Sequence, residues 1–249
     1  MPPAKELTAS PDSQANLEFY GFPQAGFDFL RALKKHNDRD WFRERKQIFE
    51  ETVKQPMEVL VHEVAARCRR RGLALYAKDK NPLTRIYRDI RFSADKRPFN
   101  THLGAGLRRS PAGNDPGEIY IHISCETPLV AAGFWMPERP FLQLWRESIV
   151  ADPGAMKRMV KQLAKYELPL SSEHRLSRLP RGFDQYAGSD IADFLRLTSY
   201  VTSRNLTESD CLSAALVDNI VEFALAAKPL LEYGWKLGYT PQRDILAER

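Results

Sequence analysis

Residues 117–125 read GEIYIHISC, and this short run decides the fold class. Ile119, Ile121, Ile123 and Cys125 share one side of a period-two pattern, while Glu118, Tyr120, His122 and Ser124 share the other, as in a half-buried strand. The next segment, PLVAAGFWMP (128–137), follows after a two-residue turn and is expected to pair back antiparallel, because so short a connection excludes a crossover. Upstream, RIYRDIRF (85–92) and LGAGLRR (103–109) read as two further strands, expected to pair with each other. Downstream, FLRLTSYVTSRNL (194–206) reads as one late, long strand.

The sequence on either side is helical in period. Phe27, Leu30 and Leu33 recur at helix spacing, and Asn37-Asp38 then supplies a turn and a fresh N-cap for a short helix carrying Trp41, Phe42 and Phe49. Pro56 opens a third helix with the apolar stripe Met57, Leu60, Val61, Val64 and Cys68. It ends in the basic run Arg67, Arg69, Arg70, Arg71, which suits a helix C-terminus. Pro137-Glu138 opens a helix through Ile149, a second covers roughly 154–166, and Thr207 with Ser209-Asp210 is expected to cap a long helix through Leu225 before Pro229 starts another turn. This order predicts an α+β fold, a mostly antiparallel central sheet (a meander plus one late strand) flanked by helices. One domain over 17–239 is expected, with a flexible leader (1–16) and a polar tail (240–249).

With 249 residues, 43% hydrophobic and 28% charged, the composition excludes disordered, collagenous and membrane-spanning classes. The three cysteines, Cys68, Cys125 and Cys211, are isolated and odd in number, which excludes a disulfide framework and any paired-cysteine zinc or redox motif. A reducing, cytoplasmic setting is expected, without membrane insertion. The formal charge of +5 is local: residues 85–109 hold seven basic and two acidic groups, an excess equal to that of the whole chain. A site for one anionic group is as natural a reading of this block as a polyanion track.

Within that block, Ile86, Arg88, Ile90 and Phe92 share strand parity, so Arg88 is expected among apolar neighbours. A buried guanidinium needs an anion, because leaving it unpaired costs several kcal/mol. The expected partner is internal, Glu63, Asp89 or Asp184; alternatively Arg88 joins Arg85 or Arg91 in a cluster for phosphate or carboxylate. The following loop, SADKRPFNTH, adds Asp95, Lys96 and His102. His122 becomes an acid–base candidate if the polar face of 117–125 lines a cleft. No metal-ligand spacing, nucleotide fingerprint or nucleophile elbow occurs, so neither metal nor cofactor is expected.

Several stretches in fixed order resemble the domain-of-unknown-function 2461 family over about residues 19–235. They are GFPQAGFDFLRALKKHNDRDWFRERKQIFEE, RIYRDIRFSADKRPFNTHLGAG, IYIHIS, GFWMPE, LWRESI, PRGFD and FLRLTSY. The resemblance implies a single α+β domain. The family's motif residues fall on Asn37, Trp41, Phe42, Arg85, Tyr87, Arg88, Asp89, Arg91, Phe92, Asp95, Lys96, Pro98, His102, Gly133, Trp135, Pro137, Arg146, Arg181 and Gly182. Asp40 stands where Glu is usual, Phe99-Asn100 for Tyr-Lys, Tyr186 near a usual His, and Thr198 where Lys is common. Any mechanism that needs a lysine at Asn100 or Thr198 is therefore not carried over.

Three functional readings follow. The first is a binding domain whose Arg-rich, aromatic site (Arg85, Tyr87, Arg88, Asp89, Arg91, Lys96, His102, Arg146, Arg181) takes an anionic small molecule or phosphorylated group, with nucleic acid as a variant partner. The second is an enzyme acting on an anionic substrate, with Asp95, His102 or His122 as acid or base and Lys96 neutralising charge. The third is a structural or interaction domain in which the same residues form an internal ion-pair network.

Overall fold

The helical spacing around Phe27, Leu30 and Leu33 forms α1 (Gln24–Lys35) in a computed structural model that describes residues 18–77, 82–110 and 116–238. The expected leader and tail lie outside these residues. Asp38 caps α2 (Arg39–Glu44), its carboxylate accepting the Trp41 N–H at 2.8 Å. A short α3 (Lys46–Phe49) continues through a π turn (Glu50–Lys54) into α4 (Gln55–Arg70). The stripe Met57, Leu60, Val61, Val64 and Cys68 is fully buried. The basic run at the end of α4 is spent on scaffold contacts: Arg67 pairs with Glu63 and Asp218, Arg71 with Glu222, and Arg69 donates to the Leu75 carbonyl.

Five antiparallel strands form one sheet in chain order, β1 (Tyr76–Ala77), β2 (His102–Arg108), β3 (Glu118–Ser124), β4 (Leu129–Phe134) and β5 (Tyr200–Asn205). Register puts Leu103 opposite Ile123, Ala105 opposite Ile121 and Ile121 opposite Val130, which builds a buried inner face. Against it pack α4, over β1 and β2, and α9 (Leu216–Trp235), over β4 and β5. Between β4 and β5 run α5 (Arg139–Ala151), α6 (Pro153–Ala164) and α7 (Ala192–Arg196). Trp145 of α5 stacks on Tyr200 at 4.2 Å, and Gly234 lets α9 approach, since a Cβ there would lie 2.2 Å from the Phe134 ring. On the outer face His102, Tyr120, His122, Leu129 and Ala131 stay partly exposed, and no helix packs there among the described residues.

The α+β class and the antiparallel meander stand as read from the sequence; five local expectations are corrected. RIYRDIRF is not a strand and does not pair with β2, whose partners are β1 and β3, with an extra bridge from Leu83 to Ala105. Its one carboxylate, Asp89, bonds the Arg91 N–H instead of leaving it to a ladder. In 194–206 the first residues finish α7 and the strand starts only at Tyr200. Thr207 and Asp210 make a reciprocal capping box, but on the four-residue α8 (Glu208–Cys211). Pro229 lies inside α9, where one lost N–H is outweighed by the buried face of Ile220, Phe223, Ala227, Leu230 and Leu231. β3 ends at Ser124, so Cys125 leaves the inner face and is half-buried, whereas Cys68 and Cys211 are fully buried.

Candidate functional site

Residues 85–100 leave the sheet edge after Thr84, fold back on themselves, and re-enter β2 at His102. The Thr84 N–H donates to Gly104, Arg88 to Pro98 and Asn100 to Ile86, with one bridge between Tyr87 and Phe99, so the excursion is a closed arm. Its base is pinned to the helices. The Asn37 side-chain amide donates to the Phe99 carbonyl at 2.9 Å and accepts its N–H at 3.0 Å, imitating a strand partner. Phe42 stacks on Phe99 at 4.2 Å, and the Tyr87 ring lies 5.1 Å from Phe99.

Beyond that base the arm repeats one device. The Asp89 carboxylate accepts the Arg91 N–H and the Nε/Nη2 edge of its guanidinium, Nε at 3.0 Å and Nη2 at 2.7 Å; Asp95 does the same for Arg97, at 3.0 and 2.7 Å. The acid-spacer-arginine spacing explains both, since a side-chain turn presents the second following N–H and guanidinium together. Asp95 also takes Arg88 Nη1 at 2.8 Å, and that nitrogen reaches the Arg97 carbonyl at 3.1 Å. Arg88 is thus partly sheltered, but its partner is Asp95 rather than Glu63, Asp89 or Asp184. Arg97 first, then Arg88, holds the Asp95 carboxyl far below the usual carboxylate range; Arg91 likewise lowers Asp89. A carboxylate so stabilised is a poor proton acceptor, which weakens the acid–base role read for Asp95.

Charge remains after this pairing. Lys96 Nζ reaches only the Ile90 carbonyl, at 3.0 Å, and Arg85 is exposed with no side-chain partner among the described residues. In the same arm Phe92 is 96% exposed, with the Arg91 guanidinium 5.9 Å from its ring centre. A phenyl ring so far from any core is the signal that a composition-based reading passes over.

His102 and His122 come together across β2 and β3 on the outer face, rings stacked at 4.5 Å, with Tyr120 6.1 Å from His122. Burial lowers the pKa of His102; burial and then the His102 charge lower His122 to about 4, so the pair is neutral at pH 7. A pocket of about 210 Å³ opens on the same face between Tyr76, Leu83, Thr84, Gly106, Arg108 and Tyr120. The sequence puts Tyr120 on the polar face of 117–125 without a site role and does not single out Thr84; their place in the pocket depends on the register of β2 against β3 and the Leu83 bridge. The other two arginines lie apart in role. Arg146, buried on α5, donates to the carbonyls of Leu195 (3.0 Å) and Leu197 (3.2 Å) and so closes the end of α7. Arg181 is exposed in the turn before Gly182. Among the described residues no cluster of three or more His, Cys, Asp or Glu could hold a metal ion, and no helix is long and apolar enough to cross a membrane.

Together these features define a class: an α+β domain with an antiparallel meander, helices on its inner face, and a salt-bridged basic arm at its edge. The motif residues of that arm and of the Arg146 helix lie within residues 25–233, the stretch matched by a family model. The chain belongs to that family, described as "Conserved hypothetical protein (DUF2461)". No curated protein and no solved structure matches it.

Proposed function

We propose that the chain is a binding domain and that the arm of residues 85–100 takes an anionic group, phosphate or carboxylate. One observation carries this reading: the arm holds five cations against two carboxylates, and exposed Arg85 and Lys96 have no carboxylate partner among the described residues. Arg91 and Arg97 complement them. Each guanidinium is fixed along one edge by its carboxylate, which leaves Nη1 unused in the hydrogen bonds above and aimed by a rigid fork. Arm geometry anchored by Asn37 and Phe99 supplies preorganisation, so little ordering is left for the ligand to impose.

Thermal denaturation with inorganic phosphate and with citrate tests the proposal. Stabilisation of the wild-type chain is expected, and the double variant Arg85→Ala/Lys96→Ala should lose it while melting unchanged in plain buffer. A full ligand shift in the double variant would overturn the assignment. The competing structural reading is favoured by the three arginine–aspartate pairings; it predicts no response to either anion and a lower melting temperature once the pairs are broken.

A further inference from the structure

The arm does not stand alone: it rises from and returns to the edge of a sheet face that no described helix covers. Alternation along β3 puts Tyr120 and His122 on that face, two residues and therefore about 6.6 Å apart, and register adds His102 beside His122. Around them the neighbouring positions are small: Gly104, Gly106 and Ala131. A Cβ built on Gly104 would lie 2.2 Å from the Tyr120 hydroxyl and 2.7 Å from Cζ. The hydroxyl end of the ring is thus at the height of a first side-chain atom, and the partly exposed ring lies down along the sheet over Gly104. The face itself is nearly neutral, since Glu118 pairs with Arg108 at 2.8 Å and both imidazoles are uncharged at pH 7. Attraction for polyanions sits next door, on the arm.

We infer that the outer face and the arm form one surface for single-stranded nucleic acid, with unstacked bases meeting the Tyr120 ring and the outward side of the stacked His102–His122 pair, and phosphates drawn to Arg85, Lys96 and Arg91. This deepens the anion-binding reading and rests on it. Charge complementarity chooses the occupant: planar uncharged rings in series beside a net positive edge match a chain of bases linked by phosphates. A duplex does not fit, because its bases are shut away from a flat sheet. Phe92, exposed at the arm, offers a further stacking ring.

The test is fluorescence anisotropy of the full chain with labelled twelve-nucleotide oligo(dT) and oligo(rU), titrated at several salt concentrations. The expected result is binding to one or both that weakens as salt rises. Tyr120→Leu is expected to lower affinity about five-fold or more without changing the salt slope, and Arg85→Ala/Lys96→Ala to flatten that log–log slope by about 1.4, for two phosphate contacts at about 0.7 each. His122→Leu reads the stacking step again should Tyr120→Leu fail to fold. The inference is overturned by equal or tighter binding of a twelve-base-pair duplex, by binding to phosphatidylserine vesicles with none to either oligonucleotide, or by ring variants that bind like wild type. Stabilisation by inorganic phosphate without oligonucleotide binding overturns this inference alone and leaves the anion site standing; no response to any of these probes removes both.

Discussion

In the arm, Arg91 and Arg97 meet carboxylates two residues earlier in the chain, in contact with water; in the helix layer, Arg146 is buried with the carbonyls of Leu195 and Leu197 for partners. Family resemblance places Arg91 and Arg146 in one motif set, yet the physics separates them. An exposed ion pair gains little from Coulomb attraction, because solvent screens it and two long side chains must be ordered. A buried guanidinium, by contrast, is held by hydrogen bonds whose loss strands its partners away from water. Arg146 therefore belongs to the folding of the chain. The exposed pairs of the arm, Arg91 with Asp89 and Arg97 with Asp95, are expected to contribute little to folding.

Substitutions at three positions would break or sharpen this contrast. Arg146→Met should cost about 2–5 kcal/mol, because two buried carbonyls are left without a donor and a well-packed side chain is replaced by a poorer fit. The melting temperature should fall by about 5–15 °C. Arg146→Lys should recover little of it, since one ammonium on a flexible stem does not reproduce the planar fork across both carbonyls. An unchanged melting curve would place Arg146 with the arm arginines. Asn37→Ala comes next. It removes both hydrogen bonds to Phe99 and should cost about 1–2 kcal/mol, with faster amide exchange confined to residues 86–100. Uniform exchange along the chain would show that Asn37 does not pin the arm. Smallest is Arg91→Ala, for which a melting temperature within about 1 °C of wild type is expected. A fall of several degrees would make the arm a scaffold and erase the distinction.

The sheet was legible because β3 alternates cleanly and its turns are short, which forces antiparallel neighbours whatever the tertiary detail. The same alternation in Ile86, Arg88, Ile90 and Phe92 misleads. Period alone does not register that Asp89 and Asp95 recruit the second following N–H, nor that Phe99 is taken by an asparagine sixty-two residues earlier in sequence. Arg88 does meet an anion, but not as strand parity placed it: the segment is no strand, Phe92 of the same parity is 96% exposed, and the arm folding back brings Asp95 beside Arg88. The end of α7 carries no local stop signal because Arg146, on another helix, supplies the donors for its last carbonyls. Of the candidate site, the location and charge could be read from residues 85–102, whereas Tyr120 and Thr84 joined it only through cross-strand register.

The three thiols carry a consequence for redox chemistry. Burial pushes Cys68 up to about 11 and Cys211 up to about 12, and both side chains are closed to solvent. A thiolate is the species that oxidants and electrophiles attack, so neither sulfur is a target while the fold is intact. Cys125, just past the end of β3, is the accessible one, although burial and Glu126 raise its pKa as well. Oxidation or covalent labelling of the native protein converges on this one sulfur, three residues from the His122 ring.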